Sequence, residues 1–233
     1  MRGIWIVTGV ATIISGLILI NAKEYFKREK TNFKQTFNKA ILNSKKGLSY
    51  SFKHRNLFLF LLAIVFVSLS VSMSSNMWQA FLRDIGLKPY LLGYIYSAIG
   101  LFTIVTPYLS KPLLKKIGKE KYYLALITFF MFLLTLSIYY VNIILLVLAI
   151  LILLNIFDSL DGPVSSVFFH KFVPSKNRAT IGSVKSMFSG VAAAIGLLVA
   201  GLVADIVGPQ MTIFYSSFLL IPSIIFYLMI KQK

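Results

Sequence analysis

Cysteine is absent from all 233 residues, which excludes disulfides, thiol nucleophiles and cysteine-based metal sites. The two histidines, His54 and His170, stand far apart in sequence at the ends of apolar stretches, so no histidine cluster is written for a metal. No phosphate loop, dinucleotide fingerprint, nucleophile elbow or zinc spacing occurs, and the chain reads as neither an enzyme nor a cofactor carrier. Acid is scarce as well: seven Asp and Glu stand against 24 Lys and Arg, for a net charge of +17. Charged residues of either sign make up only 13%, against 58% hydrophobic and a mean hydropathy of +0.81. That balance removes the soluble-domain reading.

What the chain has instead is seven apolar stretches: Gly3–Ile20, Leu57–Ala80, Leu91–Leu109, Tyr122–Tyr140, Ile143–Phe169, Ile181–Ala204 and Met211–Ile230. Each is close to the ~20 residues a helix needs to cross hydrocarbon, where only a helix satisfies its own backbone. The expected fold is therefore all-α, a polytopic helical membrane protein. A signal peptide is the alternative for the first stretch, but no small-x-small cleavage site follows it and strong positive charge does.

The positive charge is laid out unevenly. Ten Lys and Arg lie in residues 23–56, five in 111–121, four in 171–185 and two after Ile230. The intervening turns hold two in 83–88 and none in 141–142 or 205–210. The positive-inside rule makes the rich face cytoplasmic, with the N-terminus outside and the C-terminus inside. Basic loops beside anionic lipid account for the net charge, at about 1 kcal/mol per residue near the surface, and no nucleic-acid partner is needed.

Residues 21–56 are the one long polar segment. Phe33, Phe37 and Ile41 recur in it at four-residue spacing among Lys34, Lys39, Lys45 and Lys46. The spacing predicts a basic amphipathic helix in the membrane interface; a flexible linker is the other reading. The organisation expected is a transmembrane helix over 1–22, a basic cytoplasmic linker over 23–56 and a six-helix bundle over 57–233. Short turns at Tyr140–Asn142 and Asp205–Pro209 force antiparallel neighbours.

Polar residues inside the spans are the candidate site. Asp158 and Asp161 interrupt an apolar run, with Asn155 three residues earlier. Buried carboxylates in a membrane are expensive and should face protein, water or a solute, and the three-residue spacing puts them on roughly one face. Gly162-Pro163 follows them and is expected to kink the helix. The competing reading puts both aspartates at the cytoplasmic mouth, paired with Lys171 or Arg178. A second stripe runs through Ser68, Ser72 and Asn76, with Gln79 near the same face and Met73 and Met77 as an adaptable apolar wall. Cavity and helix-helix seam are both open for this stripe. Gly182, Ser186, Gly190 and Ala194, with Ala193, Gly196 and Ala200, form a run of small residues suited to close helix packing.

Taken together, these spans, loops and charges resemble the C-terminal half of a major facilitator superfamily transporter, preceded by a helix like the sixth of that family. The loop Lys111-Pro112-Leu113-Leu114-Lys115-Lys116-Ile117-Gly118-Lys119 is similar to the family's cytoplasmic signature at Lys116, Gly118 and Lys119. Lys111 and Lys115 stand where that signature has glycine and aspartate. A second echo places Gly201, Asp205 and Gly208 in register, and Arg178 sits in a stretch like the loop between helices ten and eleven.

The resemblance implies a gating role for these seven residues and alternating-access transport of a small, apolar or cationic solute. It implies an efflux carrier in a prokaryotic plasma membrane, in contact with membrane lipids and working with a separate N-terminal bundle or as a homo-oligomer. A homodimeric half-transporter and a non-transporting membrane remnant or scaffold are the alternatives. Met1 directly before a span is expected of a truncated or split transporter.

Overall fold

A computed structural model describes residues 2–20, Leu42, Lys45 and 47–232. The chain divides into two compact units, Met1–Lys39 and Ala40–Lys233. The first is described through one helix, α1 (Arg2–Ile20). Its 19 residues rise about 28 Å at 1.5 Å each, close to the thickness of a hydrocarbon core. The amphipathic helix expected around Phe33 and Phe37 lies outside the described residues.

The second unit is helical throughout, and no strand occurs among the described residues. A helical segment at 47–53 leads into α2 (Arg55–Ser75), α3 (Met77–Asp84), α4 (Pro89–Ile117), α5 (Glu120–Ser137), α6 (Ile144–Lys171), α7 (Arg178–Phe218) and α8 (Leu220–Met229). Helix boundaries follow local chemistry. Pro89 opens α4 at the first turn, where its missing N–H is not needed and its fixed φ suits a helix. Gly118 closes α4 with φ 89°, its N–H returning 2.8 Å to the Leu114 carbonyl, the left-handed helix stop that glycine alone adopts freely.

Five stretches are long and apolar enough to cross a membrane: Arg55–Asp84, Pro89–Ile117, Glu120–Tyr140, Ile144–Lys171 and Ser175–Met229. The last has 55 residues, about 82 Å if straight, which is more than twice a ~30 Å hydrocarbon core. Gly208 resolves the mismatch. Its φ of 84° and ψ of 167° are not helical, and Pro209 follows without an N–H, so the chain reverses there.

The hydrogen bonds at the two ends of the bundle confirm the reversal. At one end, Gln210 Nε2 donates to the Ile138 carbonyl and to Asn142 Oδ1, both at 2.9 Å. At the other, Asn56 and the Lys231 backbone exchange two bonds, of 2.8 and 3.2 Å. The described part of the second unit thus makes six passes, as the apolar stretches predict. Lys121, Lys171 and Lys231 share the end where Asn56 lies, and it is called the lysine-rich end below.

Two apolar clusters divide the core. One gathers Phe60, Tyr123, Phe168, Phe169 and Tyr227 toward the lysine-rich end. Phe60 lies at its centre, with ring centroids 5.7 Å from Phe168, 5.9 Å from Phe169 and 6.2 Å from Tyr227. The other gathers Trp78, Phe81, Leu82, Ile138, Val147 and Ile213 toward the opposite end. Such packing matters because lipid offers no hydrophobic drive between helices, leaving shape and dispersion to hold them. Between the clusters, on α2, α5, α6 and α8 alike, the packing opens into a cavity.

Candidate functional site

The cavity holds about 150 Å³ and draws its lining from α2, α3, α4, α5, α6 and α8. Its polar groups are Ser70, Ser74 and Ser75 of α2, Thr135 of α5, and Asn155 and Asp158 of α6. Trp78, Tyr96, Met131, Leu151, Leu154 and Leu220 supply the rest. Of the sequence candidates, Asn155 and Asp158 line this cavity.

Asp161 does not line this cavity. Each three-residue step along an α-helix falls about 60° short of a full turn, so Asp161 is rotated about 120° from Asn155. It lies within electrostatic reach of Asp158 on its own helix, of Lys185 of α7 and of Tyr123 and Tyr227. Lys185 is held above two aromatic faces, its Nζ 5.1 Å from the Phe169 ring centroid and 5.7 Å from that of Phe60. Both distances lie in the cation–π range. Tyr123, fully buried, donates its hydroxyl to the Leu160 carbonyl at 3.2 Å. Sequence reasoning treated Lys185 as one more positive charge of a basic loop. Its position seven residues into an apolar helix was the available signal.

The kink expected at Gly162-Pro163 does not break the helix. α6 runs unbroken from Ile144 to Lys171 with Pro163 inside it. The pairing of the aspartates with Lys171 or Arg178, on which the competing reading depends, is not made either. Lys171 meets Glu120 Oε1 at 2.5 Å, and Glu120 also accepts from Gln232. Arg178 is exposed at the start of α7, and among the described residues the Lys171–Glu120 contact is the one ion pair within 4 Å.

The α2 stripe splits between seam and cavity. Ser68 and Ser189 hydroxyls meet at 2.8 Å, and Ser72 donates to the Ala193 carbonyl at 2.6 Å. Ser68 and Ser72 therefore serve the α2–α7 seam. Asn76 and Gln79 are exposed, Met73 is buried, and Met77 packs beside the Trp78 cluster. The serines that reach the cavity are on the neighbouring face. Along α7 the small residues separate in the same way: Gly196 is buried against α2, while Ser186, Gly190 and Ala194 are exposed.

Of the signature-like residues, Lys116, Gly118 and Lys119 are exposed at and after the end of α4. Gly201 and Asp205 are exposed on α7, and Gly208 forms the reversal. The two echoes thus sit at opposite ends of the bundle, and the cavity lies between them without including either.

The family model for the Major Facilitator Superfamily matches residues 60–233, the whole of the bundle from the second turn of α2 onward. No curated protein matched the chain, and no solved structure did.

Proposed function

Because the chain belongs to the Major Facilitator Superfamily, a family of transporters, we propose that its six-pass unit is the C-terminal bundle of a secondary carrier. The carrier moves a small solute across the membrane by alternating access. The observation that carries this reading is the placement of Asp158 and Asn155 on a cavity between two packed clusters. An intramembrane carboxylate is costly and marks a solute or ion pathway. Apolar and aromatic walls around a few polar groups suit a small apolar or cationic solute.

Rocking requires a second set of helices. The exposed Asn76, Gln79, Ser186, Gly190 and Ala194 offer polar and small surface that lipid tails would not solvate well, and small residues permit close approach of another helix. A separate N-terminal bundle is the partner this reading favours, and a second copy of the chain is the alternative. The lysine-rich end faces the cytoplasm, supported by the concentration of positive charge there.

Reconstituted flux tests the proposal. Proteoliposomes containing the chain with its partner bundle, and the chain alone, are assayed with a panel of labelled small organic solutes under an imposed proton gradient. Saturable flux with the partner, reduced by Asp158→Asn, is the expected result. Flux that is unsaturable and unchanged by Asp158→Asn would remove the carrier reading of this cavity.

A further inference from the structure

The hydrogen bonds of the cavity wall decide what kind of solute it can hold. Ser70 donates its hydroxyl proton to the Ser216 carbonyl at 2.7 Å, Ser74 to Val71 at 3.1 Å and Ser75 to Ser72 at 3.1 Å. Thr135 donates to Met131 at 2.8 Å, and Asn155 sends an amide N–H to Leu151 at 2.8 Å. A hydroxyl has one proton to give, so what these four side chains keep for the cavity is oxygen lone pairs. Asn155 keeps its carbonyl oxygen and its second N–H, and an ionised Asp158 only accepts. The wall offers these oxygens as acceptors, beside the N–H of Trp78, the O–H of Tyr96 and one N–H of Asn155 as donors.

Charge points the same way. Neither α6 carboxylate makes an ion pair within 4 Å among the described residues, and of the two only Asp158 lines the cavity. The cavity thus holds one carboxylate with no Lys or Arg within ion-pair distance among the described residues. An anion placed there would meet lone pairs and a like charge, and a neutral solute would leave the carboxylate without a counter-charge. A cation carrying several N–H donors would satisfy both. Trp78 and Tyr96 add aromatic surface, which attracts a cation or packs an apolar tail.

We propose that the cavity binds a small organic ammonium, its charge on Asp158 and its N–H groups on the oxygens of Ser70, Ser74, Ser75, Thr135 and Asn155. The assignment rests on the reading of this cavity as the solute site and narrows it to one chemical class. At about 150 Å³ the cavity has room for a compact amine.

Equilibrium binding to the full chain in lipid nanodiscs tests this independently of flux. Three probes of matched shape are compared: phenethylammonium, the neutral phenethyl alcohol and the anionic 3-phenylpropionate. The expected result is saturable binding of the ammonium, with the alcohol at least about tenfold weaker and the carboxylate not bound. Asp158→Asn should lose at least about tenfold in ammonium affinity, and Lys176→Gln, at an exposed position away from the cavity, should lose none. Equal binding of alcohol or carboxylate, full affinity in a folded Asp158→Asn variant, or no saturable ammonium binding would each overturn the proposal. Should Asp158→Asn fail to fold, the probe series on the unaltered chain decides alone. Flux that depends on Asp158 without ammonium binding would retire the solute class and keep the carrier. Ammonium binding without flux would do the reverse.

Discussion

Gly196 of α7 lies against the backbone of Leu69 in α2, so close that a Cβ added at Gly196 would stand 2.6 Å from the Leu69 carbonyl oxygen. The obstacle is backbone, which cannot swing aside as a side chain does. One hydrogen atom in place of a methyl group therefore sets how near α2 and α7 approach, and the Ser72–Ala193 bond of 2.6 Å depends on that approach.

Gly196→Ala should accordingly destabilise the bundle, by about 1–3 kcal/mol as overpacking of a tight contact. Gly190→Ala should be close to neutral, because nothing lies within 4 Å of its added Cβ. Thermal unfolding in the same detergent compares the two. Equal melting temperatures would show that the α2–α7 approach is looser than this geometry.

Asp161 and Lys185 should behave as a unit in folding. Asp161→Asn removes the carboxylate whose charge favours the Lys185 ammonium among its aromatic rings, and a loss of stability is expected. Lys185→Met in the same chain should recover much of that loss, since removing both charges removes the desolvation cost as well. A double-mutant cycle read by denaturation measures the coupling. Additive effects would mean that the two side chains act separately.

Glu120 and Lys171 should matter less, despite their 2.5 Å contact. The Lys171 side chain is 51% exposed, so water and salt screen the pair and Glu120→Gln should cost no more than about 1 kcal/mol. Its clearer effect should be on the chain end, because Glu120 also holds Gln232 while Lys121 Nζ binds the Ile230 carbonyl at 3.1 Å. Faster proteolytic trimming after Met229, with little change in melting temperature, is the expected pattern. A large fall in melting temperature would contradict it.

Orientation can be read from single cysteines, because the natural chain has none to interfere. Lys116→Cys and Asp205→Cys place thiols at exposed positions toward opposite ends of the bundle. With the lysine-rich end in the cytoplasm, an impermeant thiol reagent added to intact cells should label position 205 and spare position 116. The opposite pattern would invert the proposed topology.

Sequence alone determined the passes and their order. Backbone groups must be satisfied within each apolar stretch, so length and hydropathy convert directly into membrane-crossing helices. The turn at Gly208-Pro209 and the stop at Gly118 are legible for the same kind of local reason. The amphipathic pattern at Phe33, Phe37 and Ile41 is equally legible but falls among residues whose structure is not described. What the sequence could not decide is how each helix is rotated against its neighbours. Periodicity fixes which residues share a face of one helix, and every apolar helix in a membrane has several faces that would pack. Only the assembled bundle turned Ser70, Ser74 and Ser75 to the cavity and Ser72 to the seam. The same packing put Asp158 on the cavity and Asp161 off it, and buried Gly196 while leaving Gly190 exposed. Side chains one or two positions apart point about 100° or 200° apart on a helix, so small differences in rotation separate a structural hydroxyl from one that can meet a solute.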